Sequence, residues 1–372
     1  MQETSASDAA VIRLIDEASR RGAFTAASAI VAVDGAVVLE HHVGTTRAWD
    51  APGVPARRPG PAVTASTRFD LASITKPLVA AALLAELHAR SLDVDLPVAQ
   101  VLPEFADDAG SRHRDLTLGR LLDHTAGFPA EWLDRAPDPG GIRFRRDARP
   151  DAPPGSLHRY SCVGYIWAGF ALEAIAQAPL AEVVRARVLD PLGMADTGYR
   201  PGAGLRTSIA ATESQPGRGM VQGEVHDETA WALGGVSGNA GLFGTARDLL
   251  RFAEALRTGG LLGGERVLPE PVVAALTSPR PLPGSSEGDG EPEEPAYRQA
   301  LGPRLDDEWM RGLGRTTAGH SGFTGTAFVT EPGGRRSIVF LTNRVHPTRS
   351  STELLALRGR VIDAAARLGE QP

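Results

Sequence analysis

The chain contains very little cysteine and no long apolar segment. Cys162 is the only cysteine among 372 residues, which excludes an intrachain disulfide and any cysteine-rich metal site. No segment approaches the roughly 18 consecutive apolar residues of a membrane-spanning helix. The residues after Met1 also lack the basic start and apolar run of a signal peptide. We therefore expect a cytoplasmic protein that does not enter a membrane.

The chain also lacks the excess of positive charge that nucleic-acid binding requires. Its 39 Lys and Arg residues against 45 Asp and Glu residues give a formal net charge of -6 at pH 7. No stripe of arginine interleaved with aromatic residues compensates locally, so we expect no nucleic-acid partner. With 42% hydrophobic and 23% charged residues, the composition is that of a globular protein with a large core or two sub-domains.

Lysine is equally scarce, since Lys76 is the only lysine in the chain and follows Ser73 by three residues. Arginine fills every other cationic position, and what lysine adds is a proton that it can lose when it is desolvated near other cations. A hydroxyl and an amine at this spacing indicate nucleophilic catalysis by Ser73 with Lys76 as the base. The alternative is a surface lysine left by chance beside an ordinary serine, because Ser-x-x-Lys alone is weakly specific.

A serine nucleophile needs a second proton-transfer group and two donors for the developing oxyanion. Tyr160, just before a predicted helix, supplies a phenol that could hold or relay the serine proton. Ser73 lies at the start of a predicted helix, where its own N–H is free and the helix dipole favours negative charge. The segment His320-Ser321-Gly322-Phe323 leads into a C-terminal hairpin whose edge strand could present the second N–H.

Strand patterns lie near both ends of the chain. Two β-rich runs, 27–33 and 36–43, flank Asp34-Gly35, and this dipeptide is a strong signal for a tight hairpin turn. A second hairpin is predicted between residues 326 and 342, around a Pro-Gly-Gly turn. Strands from the two ends are therefore expected to share one sheet.

Helical periodicity dominates the middle of the chain and its C-terminal end. Residues 73–92 and 352–368 predict long helices, and 78–225 is mostly helical. We predict an α+β (mixed α/β) fold, with a central antiparallel sheet built from both termini and flanked by helices, plus an inserted mostly helical domain. The predicted sheet domain comprises 1–77 and 226–372, the helical domain comprises 78–225, and the active site lies at their interface.

Three motifs, in order, resemble those of class C β-lactamases, serine-type D-alanyl-D-alanine carboxypeptidases and their esterase relatives. They are Ser73-Ile74-Thr75-Lys76, Tyr160-Ser161-Cys162 and His320-Ser321-Gly322. Surrounding segments that are typical of this group are 121–127, Pro191-Leu192-Gly193-Met194 and Gly241-Leu242-Phe243. The resemblance spans roughly residues 8 to 368 and implies a β-lactamase/transpeptidase-like fold.

The resemblance also implies catalytic roles. Ser73 is the nucleophile, Lys76 its base or proton shuttle, and Tyr160 the group that protonates the leaving group. The backbone N–H groups of Ser73 and Phe323 are the oxyanion donors. His320 borders the substrate pocket where other members carry lysine.

The substrate side of the expected site comprises Ser321, Gly322 and Cys162, together with Phe323. Cys162 departs from the family pattern, because most β-lactamases and carboxypeptidases carry Asn two residues after the tyrosine. A thiol cannot offer the amide's donor and acceptor to an acylamino side chain. This departure, like the missing signal peptide, disfavours β-lactam and peptidoglycan substrates.

The sequence therefore predicts a serine acyl-enzyme hydrolase or acyltransferase that acts on an ester, thioester or activated amide, as an esterase or a transacylase of the kind found in secondary metabolism. No metal and no organic cofactor is expected. The expected partners are a small-molecule acyl donor and, besides water, an amine or alcohol acceptor. Two alternatives stay open: a β-lactamase or D-Ala-D-Ala carboxypeptidase, and a non-catalytic sensor or binding protein that keeps the pocket.

Three other polar segments are interpreted as structural. His226-Asp227-Glu228 has no second histidine at ligand spacing, so a loop-packing role is expected. His124 is expected to be a hydrogen-bonded residue beside the site. The arginine-rich loop 143–149 either contacts an anionic substrate or is a solvated loop, and we favour the solvated loop.

Overall fold

The protein is described by a computed structural model. The residues that it describes are 6–106, 115–283, 297–314, 316–351 and 353–369.

Short and long strands occur along the whole described chain. Their bounds are β1 Ala26–Val33, β2 Ala36–Gly44, β3 Trp49–Ala51, β4 Val54–Pro55, β5 Phe69–Asp70, β6 Gly198–Tyr199, β7 Ser214–Gln215, β8 Gly219–Met220, β9 Leu242–Gly244, β10 Leu261–Leu262, β11 Glu265–Arg266, β12 Arg298–Gln299, β13 Arg304–Leu305, β14 Ala318–Ser321, β15 Ala327–Thr330 and β16 Arg336–Thr342.

The main sheet of the described residues has seven strands in the order β12-β13-β14-β15-β16-β1-β2, and every neighbouring pair is antiparallel. The predicted hairpin joins β1 to β2, and Asp34 and Gly35 take positive φ values of 51° and 83° as a tight turn of this kind requires. Strand β1 then pairs with β16 from the other end of the chain. The prediction of a mixed α/β fold with an antiparallel sheet built from both termini is confirmed.

The α-helices surround this sheet and fill the middle of the chain. Their bounds are α1 Ala6–Arg20, α2 Thr75–Ala89, α3 Leu118–Leu122, α4 Ile142–Asp147, α5 Cys162–Ala176, α6 Leu180–Val184, α7 Asp190–Leu192, α8 Glu228–Ala232, α9 Ala246–Arg257, α10 Glu270–Thr277 and α11 Glu353–Ala365. Five 3-10 turns occupy Ala72–Ile74, Val98–Gln100, Pro103–Phe105, Ala203–Ser208 and Glu308–Leu313 within the described residues, and a π-helical turn occupies Arg185–Leu189.

Two apolar cores hold these layers together. One lies around α2, whose residues are buried from Thr75 to Leu87 on every side, so that this helix forms the centre of the molecule. The other packs α1 and α11 against the sheet, with Ile15, Phe340 and Ile362 among its members. Helices on both sides of the sheet therefore bury its two faces.

Helix α2 starts two residues later than the sequence predicted. Ser73 lies in the 3-10 turn Ala72–Ile74 rather than in α2 itself, because the preceding Ala72 has a φ of 47° that no α-helix accommodates. Pro77 occupies the first turn of α2, where its missing N–H costs no hydrogen bond.

The division into a sheet domain and a helical domain with the active site between them stays a prediction. None of the helices in the described ranges combines the length and the apolar composition that a membrane span requires.

Candidate active site

Ser73 and Lys76 lie side by side where the 3-10 turn passes into α2. A separation of three residues places two side chains on the same face of a helical turn. The Lys76 Nζ donates a hydrogen bond to the Ser73 Oγ at 3.0 Å and another to the backbone oxygen of Asn239 at 3.1 Å. Lys76 is 0% exposed, whereas Ser73 is partly exposed. The hydroxyl is therefore accessible, with the amine behind it.

The backbone just before Ser73 is held in a conformation that a residue with a Cβ rarely takes. Ala72 lies in the left-handed region, with a φ of 47°. The buried Asp70 holds it there, because its Oδ1 accepts the Ala72 N–H at 2.8 Å and its Oδ2 accepts the His226 N–H at 2.7 Å. Strain of this kind persists only where the surroundings enforce it, and it is common at active sites.

The charge state of Lys76 differs from the expectation of a neutral amine. Burial lowers the pKa of the Lys76 ammonium, but the neighbouring Cys162 and Tyr160 groups and the Asp227 carboxylate raise it, and the net result is a pKa above the ordinary lysine value. The resting site therefore holds Lys76 as an ammonium. Its hydrogen bonds to Ser73 and to the Asn239 carbonyl are those of a cationic donor.

Tyr160 is enclosed by two cations and two imidazoles. The Lys76 Nζ lies 5.0 Å and the Arg304 guanidinium 5.2 Å from the centre of its ring. The His124 and His320 rings lie 4.5 and 6.1 Å away, centre to centre. Burial and these same two cations hold the pKa of both imidazoles well below its usual range, so both are neutral. The charges that face Tyr160 are thus those of Lys76 and Arg304.

Two backbone N–H groups are available to bind an oxyanion. Among the described residues, neither the Ser73 N–H nor the Phe323 N–H has a hydrogen-bond acceptor. Ser73 offers its N–H at the start of a helical turn, and Phe323 offers its own just after strand β14. Such unpaired donors beside a nucleophile have the chemistry of an oxyanion hole.

The segment that carries Phe323 is fixed to the nucleophile turn by hydroxyl groups. The Thr324 Oγ1 donates to the Asp70 carbonyl at 2.7 Å, and the Thr326 Oγ1 donates to the Leu71 carbonyl at 3.1 Å. Gly322 passes so close to this turn that a Cβ there would lie 2.6 Å from the Leu71 oxygen, which explains why the position is glycine. These contacts fix the two N–H groups relative to each other.

A cavity of about 230 Å³ opens beside Ser73. It is bounded by aromatic, charged and small residues, namely Ala72, Ser73, Glu131, Trp132, Arg135, Tyr160, Cys162, His226, Asp227, Glu228, Thr229, Ala240, Phe323 and Arg349. An accessible hydroxyl and a phenol thus line one pocket, with a buried amine 3.0 Å from the hydroxyl. Together with the N–H groups of Ser73 and Phe323, which have no acceptor among the described residues, these groups have the chemistry of acyl transfer through a serine ester.

The profile of the Beta-lactamase family matches residues 11–361. The chain belongs to the β-lactamase family. This confirms the resemblance carried by the three motifs and, at the coarse level, the prediction of a serine hydrolase of this family.

Proteins similar to this β-lactamase family member carry names that refer to different activities. A protein of Salmonella agona (strain SL483), provisionally named D-alanyl-D-alanine carboxypeptidase, is 29% identical over 351 residues, which cover 83% of this chain and 78% of that protein. The structure of a class C β-lactamase covers 100% of this chain and 98% of its own, with a TM-score of 0.75 and 17% identity. That of EstCE1, described as a hydrolase with promiscuous acyltransferase activity, covers 96% of this chain and 100% of its own, with a TM-score of 0.68 and 21% identity. The two structures confirm the predicted β-lactamase/transpeptidase-like fold.

His320, expected at the border of the substrate pocket, lies behind Tyr160 instead of among the residues that line the cavity. It is 1% exposed, its Nδ1 bonds the Ser321 carbonyl at 2.9 Å, and its Nε2 has no partner among the described residues. Ser321 and Gly322 also do not line the cavity, whereas Phe323 and Cys162 do. Burial raises the pKa of the Cys162 thiol, so this residue presents a neutral group to the pocket.

His226, Asp227 and Glu228, which we interpreted as loop packing, all line the cavity. The His226 ring stacks on the Phe323 ring at 5.6 Å and 26°, and its Nε2 lies 2.9 Å from the Glu213 Oε2. Sequence reasoning missed this because no spacing links residue 226 to Ser73. The local signal in the sequence is limited to a run of three ionisable residues, 226 to 228.

His124 is the hydrogen-bonded neighbour that the sequence predicted. Its Nδ1 accepts the Ser161 N–H at 3.0 Å, so the proton of the neutral ring lies on Nε2, and the bond fixes the residue next to Tyr160. Arg304 and Asn239, by contrast, were missed, because each reaches the site from a distant part of the chain.

The arginine-rich segment 143–149 forms helix α4 over Ile142–Asp147 rather than a loop. Arg143 pairs with Asp134 at 2.9 Å, and Arg145 pairs with Glu104. None of its arginines lines the cavity beside Ser73. Within the described ranges, no group of three or more His, Cys, Asp and Glu side chains has the arrangement of a metal site.

Proposed function

We propose that the protein is a serine acyl-enzyme hydrolase or acyltransferase that acts on esters, thioesters or activated amides. The observation that carries the proposal is the 3.0 Å contact between the Lys76 Nζ and the accessible Ser73 Oγ, beside two free N–H groups. Isolated serine hydroxyls are weak nucleophiles, and a proton-transfer group at hydrogen-bond distance is what activates them.

In the first half-reaction the Ser73 Oγ forms a bond to the substrate carbonyl carbon. The Ser73 proton is proposed to pass to the Lys76–Tyr160 pair, which in its reactive form has released one proton to solvent and can therefore accept another. Lys76 relays this proton towards the Tyr160 oxygen and stabilises the charge that develops. The carbonyl oxygen, now negative, accepts the N–H groups of Ser73 and Phe323. The bond from carbon to the leaving group then breaks, and the leaving group departs with the proton held by Tyr160.

In the second half-reaction an acceptor attacks the Ser73 ester. The acceptor is water in a hydrolase and an amine or alcohol in a transferase. It forms a bond to the acyl carbon, the bond from this carbon to the Ser73 Oγ breaks, and the acceptor's proton passes through the Lys76–Tyr160 pair to the Ser73 Oγ. The neutral His320 is proposed to keep Tyr160 in place from behind. Neither of the two proposed half-reactions uses a metal or an organic cofactor.

Intact-protein mass spectrometry with a panel of aryl esters, thioesters and β-lactams tests this proposal. Incubation is expected to add the mass of the acyl group to wild-type protein but not to Ser73→Ala, which keeps the turn and removes only the nucleophile. Faster loss of the adduct when an amine is added, with formation of the amide, identifies an acyltransferase. Absence of both adduct and turnover across the whole panel contradicts an enzyme and favours the non-catalytic binding protein.

A second candidate, a D-Ala-D-Ala carboxypeptidase or β-lactamase, is favoured by the 29% identical relative from Salmonella agona. Against it stands Cys162, which lines the pocket where most such enzymes have an amide side chain. Multiple turnovers of a D-Ala-D-Ala peptide or of penicillin, rather than a single trapped adduct, would establish this candidate.

A further inference from the structure

We propose that Asp227 makes the pocket select acyl donors that carry a protonated amine close to the reacting carbonyl, such as aminoacyl esters, thioesters and amides. The inference rests on the proposed function and names the substrate class of the same Ser73 site.

Asp227 presents a carboxylate oxygen that the protein leaves unused. It precedes helix α8, and its Oδ1 accepts the Ala230 N–H at 2.7 Å. Its Oδ2 has no hydrogen-bond donor, and the carboxylate forms no ion pair with any cationic side chain of the described residues. Asp227 is only half-buried and lines the cavity beside Ser73, so a ligand in that cavity can reach this oxygen.

The other charged side chains around the cavity are already matched. Arg135 pairs with Glu131 at 3.1 Å, and Arg349 pairs with both Glu213 and Glu228. Among the charged residues that line the cavity, Asp227 is therefore the one that pairs with no guanidinium of the described residues. An unpaired carboxylate on the wall of the cavity favours a cationic ligand and disfavours an anionic one.

The Asp227 charge also acts on the reaction centre itself. Burial is the largest influence on the pKa of Lys76 and on that of the Cys162 thiol, and the Asp227 charge contributes by raising both. In an aminoacyl substrate, a single carbon atom separates the α-ammonium nitrogen from the carbonyl carbon. When Ser73 attacks that carbonyl, the ammonium group therefore lies within the same small cavity. Trp132, on the wall of this cavity, adds an aromatic face that can attract a cation.

Two thioesters of N-acetylcysteamine test the proposal, one of alanine (each enantiomer) and one of propionic acid, which has the same carbon skeleton without the ammonium group. We expect Asp227→Asn to lower the ratio of kcat/KM for the alanyl over the propionyl thioester by about tenfold to hundredfold, since a hydrogen bond to a charged group is lost. The intrinsic reactivity of each thioester cancels when the ratios of two enzymes are compared. Asp227 is the N-cap residue of α8, and asparagine stabilises a helix at this position about as well as aspartate does. Helix α8 is therefore expected to persist in the variant.

Glu131→Gln is the matched control, because it removes a carboxylate of the same cavity that Arg135 already neutralises. Its effect on the ratio is expected to be smaller than that of Asp227→Asn. An unchanged or increased ratio in Asp227→Asn, while wild type turns over the propionyl thioester, overturns the inference and leaves the proposed function intact. If neither thioester forms an adduct on Ser73 in the wild-type protein, both fail.

Discussion

The two sides of the pocket are built in different ways. The proposed catalytic side, formed by Ser73, Lys76 and Tyr160, is anchored in the apolar core, and its lysine is 0% exposed. The proposed recognition side, formed by residues 226–228, Phe323 and Arg349, is more exposed: Phe323 is 47% exposed, although His226 is buried. Backbone hydrogen bonds and close packing position the first side, whereas ion pairs and ring stacking position the second.

This difference separates the type of reaction from the choice of substrate. A buried cation beside a serine constrains the chemistry, because each group there must satisfy strict demands of charge and hydrogen bonding. Partly exposed charged residues tolerate substitution, because solvent screens their charges and can hydrogen-bond to partners that lose a contact. We therefore expect changes on the catalytic side to abolish turnover, and changes on the recognition side to alter rates moderately or to alter selectivity.

The largest effect is predicted for Lys76→Arg on the catalytic side. Arginine keeps the positive charge but cannot release a proton, so proton transfer between Ser73 and Tyr160 should be lost. We expect kcat to fall by roughly 10²- to 10⁴-fold, the usual contribution of a positioned proton-transfer group. Steady-state hydrolysis of an aryl ester measures this loss.

Lys76→Ala serves as the comparison for this prediction, since it removes charge and proton together. An arginine variant with activity close to wild type would show that Lys76 contributes charge alone. Equal, severe losses in both variants would support the shuttle.

The same contrast explains what could be predicted from the sequence. Ser73 and Lys76 are three residues apart, and helix geometry alone places such a pair together, so their contact follows from spacing. The hairpin at Asp34-Gly35 was predictable for a similar reason, because the turn requires the φ values that this dipeptide takes.

The recognition side could not be predicted, because its contacts are long-range. Asp70 meets His226 across 156 residues of sequence, and Arg349 meets Glu213 across 136. Local secondary-structure propensity cannot predict contacts between residues that are so far apart in the sequence. The charge state of Lys76 was also beyond the sequence, since it depends on how burial competes with the Cys162, Tyr160 and Asp227 groups once the chain has folded.

A second prediction concerns the loop that carries Arg349 to the pocket. His346 anchors this loop, because its Nε2 accepts the N–H groups of Ala48 and Trp49 at 3.1 Å each, and its Nδ1 bonds the Thr212 carbonyl at 2.9 Å. A proton added to Nε2 would point at the N–H groups of Ala48 and Trp49, which cannot accept a hydrogen bond. Burial accordingly lowers the pKa of His346 to about 4 in the folded protein.

The sign of the pH effect follows from this lowered pKa. Above the ordinary histidine value of about 6.5 both folded and unfolded chains hold a neutral ring, and the stabilisation is complete. As the pH falls from about 6.5 to about 4, the unfolded chain binds the proton first, and about 3 kcal/mol of unfolding free energy is lost. Urea unfolding of wild type and His346→Gln at several pH values measures this loss. The variant has no histidine at position 346, so its unfolding free energy should lack the corresponding decrease. Parallel pH curves for the two proteins would contradict the role of His346.

The smallest effect is predicted for His226, where the two sides of the pocket meet. Its N–H bonds Asp70, which holds the turn before Ser73, while its ring stacks on Phe323, so one residue contacts the supports of both oxyanion donors. His226→Ala keeps the backbone bond and removes the stack, and we expect kcat to fall by about tenfold, less than the 10²- to 10³-fold loss of a whole donor. His226→Phe restores a ring against Phe323 without the bond to Glu213, and should recover most of kcat. If the alanine variant instead raises KM at constant kcat, His226 serves substrate binding, and the oxyanion donors are positioned by Asp70, Thr324 and Thr326 alone.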